Sequence, residues 1–366
     1  MYVLLFFSLF TILLTHLESK GQLKNGMAIG FVIMTILAVI RYDYGNDYMN
    51  YYRSYLFIIS HDFSFSIEKL TDIFREPGWT FINFLFKPFG ESGFFIMVAT
   101  LAIFQNWVYY RFIKGYVPIE YRWFAVFVYL FNTSLYVLNM SMLRQGLTIT
   151  MLVFCIPYIL EKKWLKTVLI FILFSTVHSS TKFLIPFAFF GYLKFSERRP
   201  WIIPVVYAVC FGVFVMSRDL IDQTLMLVSN VEEMQEYADT YIKDDVENSF
   251  KLGLGFIINS IPFVTAILFM LRSDVSQEVK ILVSLACVGS VISPFGQVTQ
   301  IITRIAYYFQ AVGVATIPIV YYWFKPMTRH LLIGIYIMIM MYSYWVFFHS
   351  PTWFDHYYNY TTLFSM

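Results

Sequence analysis

Twelve apolar runs of near membrane length, most of them joined by short polar links, leave this chain few folds to adopt. A helix that crosses a bilayer needs about 20 mostly apolar residues, within a range of about 17–25. On that measure residues 2–17, 24–40, 93–113, 122–138, 141–160, 164–179, 181–196, 200–217, 252–271, 279–295, 304–324 and 330–349 read as spans. Of the 366 residues 59% are hydrophobic and 13% charged, against roughly 25% charged in soluble domains. Backbone groups in lipid must be satisfied within their own segment, so the expected class is an all-α polytopic membrane protein. Residues 1–366 read as a single integral membrane domain. The start of the chain lacks a basic n-region and a small-residue cleavage site, so residues 2–17 read as a first membrane helix. A net charge of +3 is too small to argue for nucleic acid. Cys155, Cys210 and Cys287 all fall within apolar runs, where cysteine acts as a small hydrophobe.

The basic residues orient the spans. Alternate loops, all short, hold fifteen of the 26 Lys and Arg but six of the 23 Asp and Glu. The other side therefore holds eleven basic and seventeen acidic residues, most of them in two long loops, 41–92 and 218–251. Short basic loops stay in the cytoplasm, so both long loops and both termini are expected outside the cytoplasmic membrane. The apolar stretch 79–89, interrupted by Lys87-Pro88, reads as an interfacial or half-membrane helix within the first long loop. The second is acidic, nine residues against three basic, and reads as a solvated helix or a lid.

Within this frame Arg144 stands out, because it lies inside a run of membrane length. A cation there costs several kcal/mol at mid-bilayer and less near an interface, so it calls for a partner or a task. Arg41 and His178 end other runs and Arg304 begins one, and the orientation puts all four at the outer face, with Asp43, Asp47 and Glu76. Guanidinium binds phosphate through two parallel hydrogen bonds and keeps its charge, so Arg41, Arg144 and Arg304, with Lys182 behind His178, are the expected phosphate ligands. Tyr48, Tyr51, Tyr52 and Tyr55 follow the spacing of one helix face. They form either a headgroup-level belt, with Asp47 capping the helix, or a platform on which sugar rings stack. Glu76, in Arg75-Glu76-Pro77-Gly78-Trp79, is either a helix cap or a placed acid or base. The sequence carries no metal-ligand spacing and no Gly-rich phosphate loop followed by Lys, so neither a metal nor ATP is expected.

Arg41-x-x-x-Gly45-x-Asp47-Tyr48-x-x-Tyr51, Glu76-Pro-Gly-Trp, Leu143-Arg144-Gln145, His178-Ser-Ser-x-x-x-Leu184-Ile-Pro186 and Arg304-x-x-Tyr307-Tyr308-Phe309 occur in that order. The set resembles the EpsG family of exopolysaccharide and O-antigen repeat-unit polymerases, which are Wzy-like, over about residues 1–350. The resemblance implies a GT-C-like multi-span transferase that needs no cofactor. It would move a growing glycan from polyprenyl pyrophosphate onto the next polyprenyl-pyrophosphate-linked repeat unit, outside the cytoplasmic membrane. A chain-length-regulating partner is expected on the same ground. Arg144, Arg304 and Arg41 would stabilise the leaving pyrophosphate. Asp47, Glu76 and His178 are the open choices for the base, with a carboxylate favoured because His178 beside Lys182 can instead bind phosphate. Tyr48 and Tyr51, with Gln145 and Tyr308 from the same motifs, are the expected sugar contacts. Two rivals stand beside this reading. A flippase or transporter for lipid-linked oligosaccharide would carry its charges nearer mid-membrane and often shows internal repeats, which this chain lacks. A membrane acyltransferase often needs a cytoplasmic His, and only His330 falls on that side.

Overall fold

The computed structural model describes residues 1–60, 76–216, 254–293 and 300–365. All regular structure in these residues is helical. In chain order the α-helices are α1 (Tyr2–Ser19), α2 (Gly26–Ile40), α3 (Tyr48–Ser60), α4 (Pro77–Phe86) and α5 (Ser92–Tyr116). They continue with α6 (Arg122–Phe131), α7 (Leu143–Leu160), α8 (Trp164–Ser175), α9 (Ile202–Met216) and α10 (Leu254–Asn259). The last are α11 (Ile261–Met270), α12 (Gln277–Ile292), α13 (Gln300–Tyr322), α14 (Pro326–His349) and α15 (Pro351–Tyr357). Five of them, α1, α5, α7, α13 and α14, are long and apolar enough to cross a membrane. α2, α8, α9 and α11 are shorter apolar helices. The acidic loop expected at 218–251 lies outside the described residues.

Each of the twelve runs contains helix, and three depart from a single α-helix for visible reasons. In the run 122–138 the helix stops at Phe131, where Asn132 turns to extended backbone and its side chain takes the N–H of Ser134 at 3.1 Å. The run 252–271 breaks at Ser260 into α10 and α11. Pro262 follows the break and cannot continue a helix, having no N–H and a ring that meets the preceding turn. The run 181–196 forms a 3₁₀ segment, Ser179–Tyr192, with Pro186 inside it. At a rise of about 2.0 Å per residue its 14 residues extend about 28 Å, close to a bilayer's hydrocarbon thickness.

Burial ranks the helices. The apolar windows of α7 and α13 are each 72% buried, against 22% for α1 and 28% for α14. α7 and α13 are thus the centre of the bundle, with α6 beside them enclosed from Phe124 to Phe131. The outward faces of α1, α9 and α14 expose Phe6, Leu13, Val209, Leu331 and Met338. Such continuous apolar surface suits lipid and would be a liability in water. Arg144 lies in the first turn of α7, so its charge sits at one end of the bundle's centre.

The chain end closes over the same side of the bundle. Tyr42 N–H donates to the carbonyl of Thr361 at 3.1 Å, Gly45 N–H to that of His356 at 2.9 Å, and Tyr357 Oη to Asn46 Oδ1 at 3.0 Å. Gly45 has a φ of 96°, and a Cβ there would run into Ser141 and Tyr357. Only glycine lets the loop after α2 turn and seat itself between them.

Candidate functional site

The site starts from one carboxylate. Glu76 immediately precedes α4, and Pro77 occupies the first helical position, where its missing N–H is no loss. The N–H of Gly78 donates to the carbonyl of Thr176 at 2.8 Å, and a Cβ at Gly78 would collide with Thr176. Glycine therefore permits the start of α4 to lie against the end of α8. This approach delivers Glu76 to His178 and Ser179. Glu76 Oε1 meets His178 Nδ1 at 2.9 Å and accepts the N–H of Ser179 at 2.9 Å. Glu76 Oε2 pairs with the Arg144 guanidinium.

Arg144 is held from a second direction. Its Nε donates to Tyr51 Oη at 3.3 Å, and its Cζ lies 5.4 Å from the Tyr51 ring centre. That ring packs edge-on against Trp79 of α4 at 5.4 Å. The N-terminal end of α7 adds the positive end of its dipole to the arginine's charge, which favours an anion there. The Arg144 side chain is 38% exposed, against 11% for Glu76 and 14% for His178. Arg144 is therefore more open to a ligand than its partners Glu76 and His178.

Asp47, just ahead of α3, and Arg304 on α13 lie within electrostatic reach of each other and Asp47 within reach of Arg144. The Asp47 N–H donates to Ser141 Oγ at 2.9 Å, which fixes the residue just ahead of α3. Gln145 Nε2 donates to the carbonyl of Arg304 at 3.2 Å, tying α7 to α13. The environments of the two carboxylates push them apart. Burial raises the Asp47 carboxyl above its ordinary value, and the charges of Arg304, Arg144 and His356 only partly offset it. Burial also pushes Glu76 up, but hydrogen bonds from His178 and Ser179 and the charges of Arg144 and His178 outweigh it, so Glu76 is held below its ordinary value. One carboxylate is a fixed anion inside an ion cluster. The other is the better proton acceptor.

The structure thus brings together Asp47, Tyr51, Glu76, Arg144, His178 and Arg304. It sets five other expected residues apart. Arg41, read as a phosphate ligand, is buried, and its Nε donates to the Met140 carbonyl at 2.8 Å and its Nη1 to the Ala38 carbonyl. Backbone oxygens take its Nε and one Nη1 donor. Tyr48, read as a sugar contact, is fully buried against Phe94 and donates its hydroxyl to the Arg41 carbonyl at 3.1 Å. Gln145 is buried with its amide on Arg304. Tyr308 is buried as well, its hydroxyl 2.8 Å from both Thr148 Oγ1 and Ser180 Oγ, where it joins α13, α7 and the 3₁₀ segment. These residues build the walls rather than the contact surface. Lys182 lies exposed on the 3₁₀ segment and makes no contact with the cluster among the described residues. Sequence reasoning missed the Ser179 N–H, Ser141 and the Tyr357 strap. Of these only Ser179 carried a signal, as the neighbour of His178.

Central helices that gather a cluster of ions at one end, inside a shell of apolar helices, are those of a membrane protein with a charged site at one end of its bundle. No curated protein and no solved structure matches the chain. The model of the EpsG family matches residues 25–362, which include every residue of the cluster, and the chain belongs to that family.

Proposed function

We propose that this protein is a polysaccharide polymerase that joins polyprenyl-pyrophosphate-linked repeat units. In this reading the twelve helical runs are crossings of the cytoplasmic membrane, in a GT-C-like arrangement, with the ion cluster on the outer face. The observation that carries it is the partly exposed Arg144, locked by Glu76 and Tyr51 beside Asp47 and Arg304. Family membership supports the same chemistry.

In the reaction an acceptor hydroxyl oxygen forms a bond to the donor's anomeric carbon. The bond from that carbon to the phosphate oxygen breaks, and the pyrophosphate leaves with its electron pair. Arg144 and Arg304 meet the developing charge, which in a water-poor site is a large catalytic contribution. Asp47 takes the hydroxyl proton, because it is the carboxylate with the raised proton affinity. Glu76 is a positioning residue: it aims Arg144 and fixes His178. Tyr51 offers the one expected aromatic face beside the reactive groups.

The test is the length distribution of surface glycan in cells lacking the protein and complemented with wild type or Arg144→Ala at equal expression. Single repeat units with Arg144→Ala and a ladder with wild type are expected. Loss of all surface glycan, with lipid-linked units accumulating inside, would overturn the reading in favour of a transporter.

A further inference from the structure

A cavity of about 650 Å³ lies on the far side of α13 from the ion cluster, walled chiefly by α6, α11, α12, α13 and α14. Arg304 and Tyr308 are one turn apart on the site face of α13. Gln310, Gly313, Ile317 and Tyr321 line the cavity. At 3.6 residues per turn these two sets fall on opposite sides of the helix. From Gln310 to Tyr321 the cavity follows α13 for about 16 Å.

Its lining changes along that length. At the end nearer the site lie Asn132, Thr133, Ser134 and Gln310, and Ser134 lies near Tyr307, three residues beyond Arg304. Deeper in the bundle Phe263, Ala266, Ile317, Val320, Ile335 and Ile339 dominate, with Thr316, Tyr321 and Tyr336 adding three hydroxyls. Among the described residues no Asp, Glu, Lys, Arg or His lines it. Three hydroxyls are too few for a glycan filling this depth, which would leave most of its own hydroxyls without partners, an unfavourable burial. A hydrocarbon chain would not.

Gly313 adds an independent observation. A glycine inside a helix weakens it relative to alanine, so it needs a reason. Gly289 has one, since a Cβ there would come within 2.9 Å of Phe309 Cβ, between α12 and α13. At Gly313 a Cβ would meet only Ile317 Cδ1, at an ordinary 3.5 Å. Helix packing does not require that glycine. What its missing side chain leaves is space in the cavity.

We infer that this cavity takes the hydrocarbon chain of a phosphate-headed lipid, with the head turned past Asn132 and Gln310 towards Arg304. The inference rests on the polymerase reading, which supplies such a lipid as substrate. Its chain, and not that of a bulk membrane lipid, is the assigned occupant.

The test uses the full-length protein in nanodiscs and a polyprenyl monophosphate carrying a diazirine in its chain. Adducts are expected at Gly313, Ile317 or Ile339, competed by unlabelled polyprenyl phosphate and not by the same excess of phosphatidylglycerol. Gly313→Leu should lower labelling roughly tenfold, the effect of displacing about two methylenes from the wall. Gly313→Ala, whose Cβ fits the space, should fold normally and lose less. Equal competition by phosphatidylglycerol, competition by a neutral oligosaccharide, or adducts only outside the cavity would each overturn the inference. Labelling reads chain binding alone. An unlabelled cavity leaves the polymerase reading standing, whereas a normal glycan ladder with Arg144→Ala sinks that reading whatever the cavity holds.

Discussion

Arg144→Lys separates charge from shape. Lysine keeps the positive charge but loses the planar fork that serves Glu76, Tyr51 and a phosphate together. We expect polymer formation to fall by about 10²–10³, the cost of one misplaced oxyanion donor, while the folded yield stays unchanged. Full activity in vitro with lipid-linked repeat units would show that a point charge suffices. Asp47→Asn asks a different question. The wild-type rate should fall on the acid side as Asp47 takes up a proton, at a pH above the ordinary carboxylate range because its proton affinity is raised. Asp47→Asn should remove that acid limb and lower the rate by about 10²–10⁴. An unchanged acid limb in the variant would pass the base role to His178.

Between elements, the junction of α4 with the end of α8 holds the site together. Glu76 has a lowered proton affinity in the folded state, so its stabilisation is complete above its unfolded value and is lost as pH falls through the lower, folded one. Wild-type Tm should therefore hold through neutral pH and drop only below the ordinary carboxylate range. Glu76→Gln should lower Tm at neutral pH, by the equivalent of about 1–3 kcal/mol, and flatten that acid drop. Gly78→Ala tests the same junction through the backbone. Its Cβ would force α4 off Thr176, at about 1–3 kcal/mol, and activity should fall further than stability because Glu76 leaves His178. The parts of this junction were legible one by one: Glu76, Pro77 and Gly78 as a helix start, His178 as a polar end to an apolar run. Their pairing was not, because nothing local links residues 102 apart. Arg41 shows the converse. An arginine closing an apolar run reads the same whether it faces a phosphate or its own backbone, and only the packing of Tyr48, Tyr360, Tyr136 and Tyr44 around it decides. The 3₁₀ course of Ser179–Tyr192 was hidden for a similar reason, since a short apolar run with one proline fits a kinked α-helix equally well.

At the scale of the whole molecule, hydropathy alone disclosed the class, because every apolar run became helix and the outermost helices kept their apolar faces outward. Sidedness rests on the loop charges, and it carries the mechanism, since an outward cluster can meet only substrates already brought across. The helix α8 offers the sharpest test, because exposed Lys163 and exposed Lys182 flank it. In a background lacking Cys155, Cys210 and Cys287, Lys182→Cys should react with a membrane-impermeant maleimide in intact spheroplasts. Lys163→Cys should react only after permeabilisation. Neither lysine belongs to the cluster, and among the described residues Lys163 forms its one ion pair with nearby Glu161, so both variants should fold and retain polymer formation. The reverse pattern would place Glu76, Arg144 and Asp47 on the cytoplasmic side. Polymerisation would then have to precede export of the glycan, and the outer-face mechanism would be wrong even with every residue role intact.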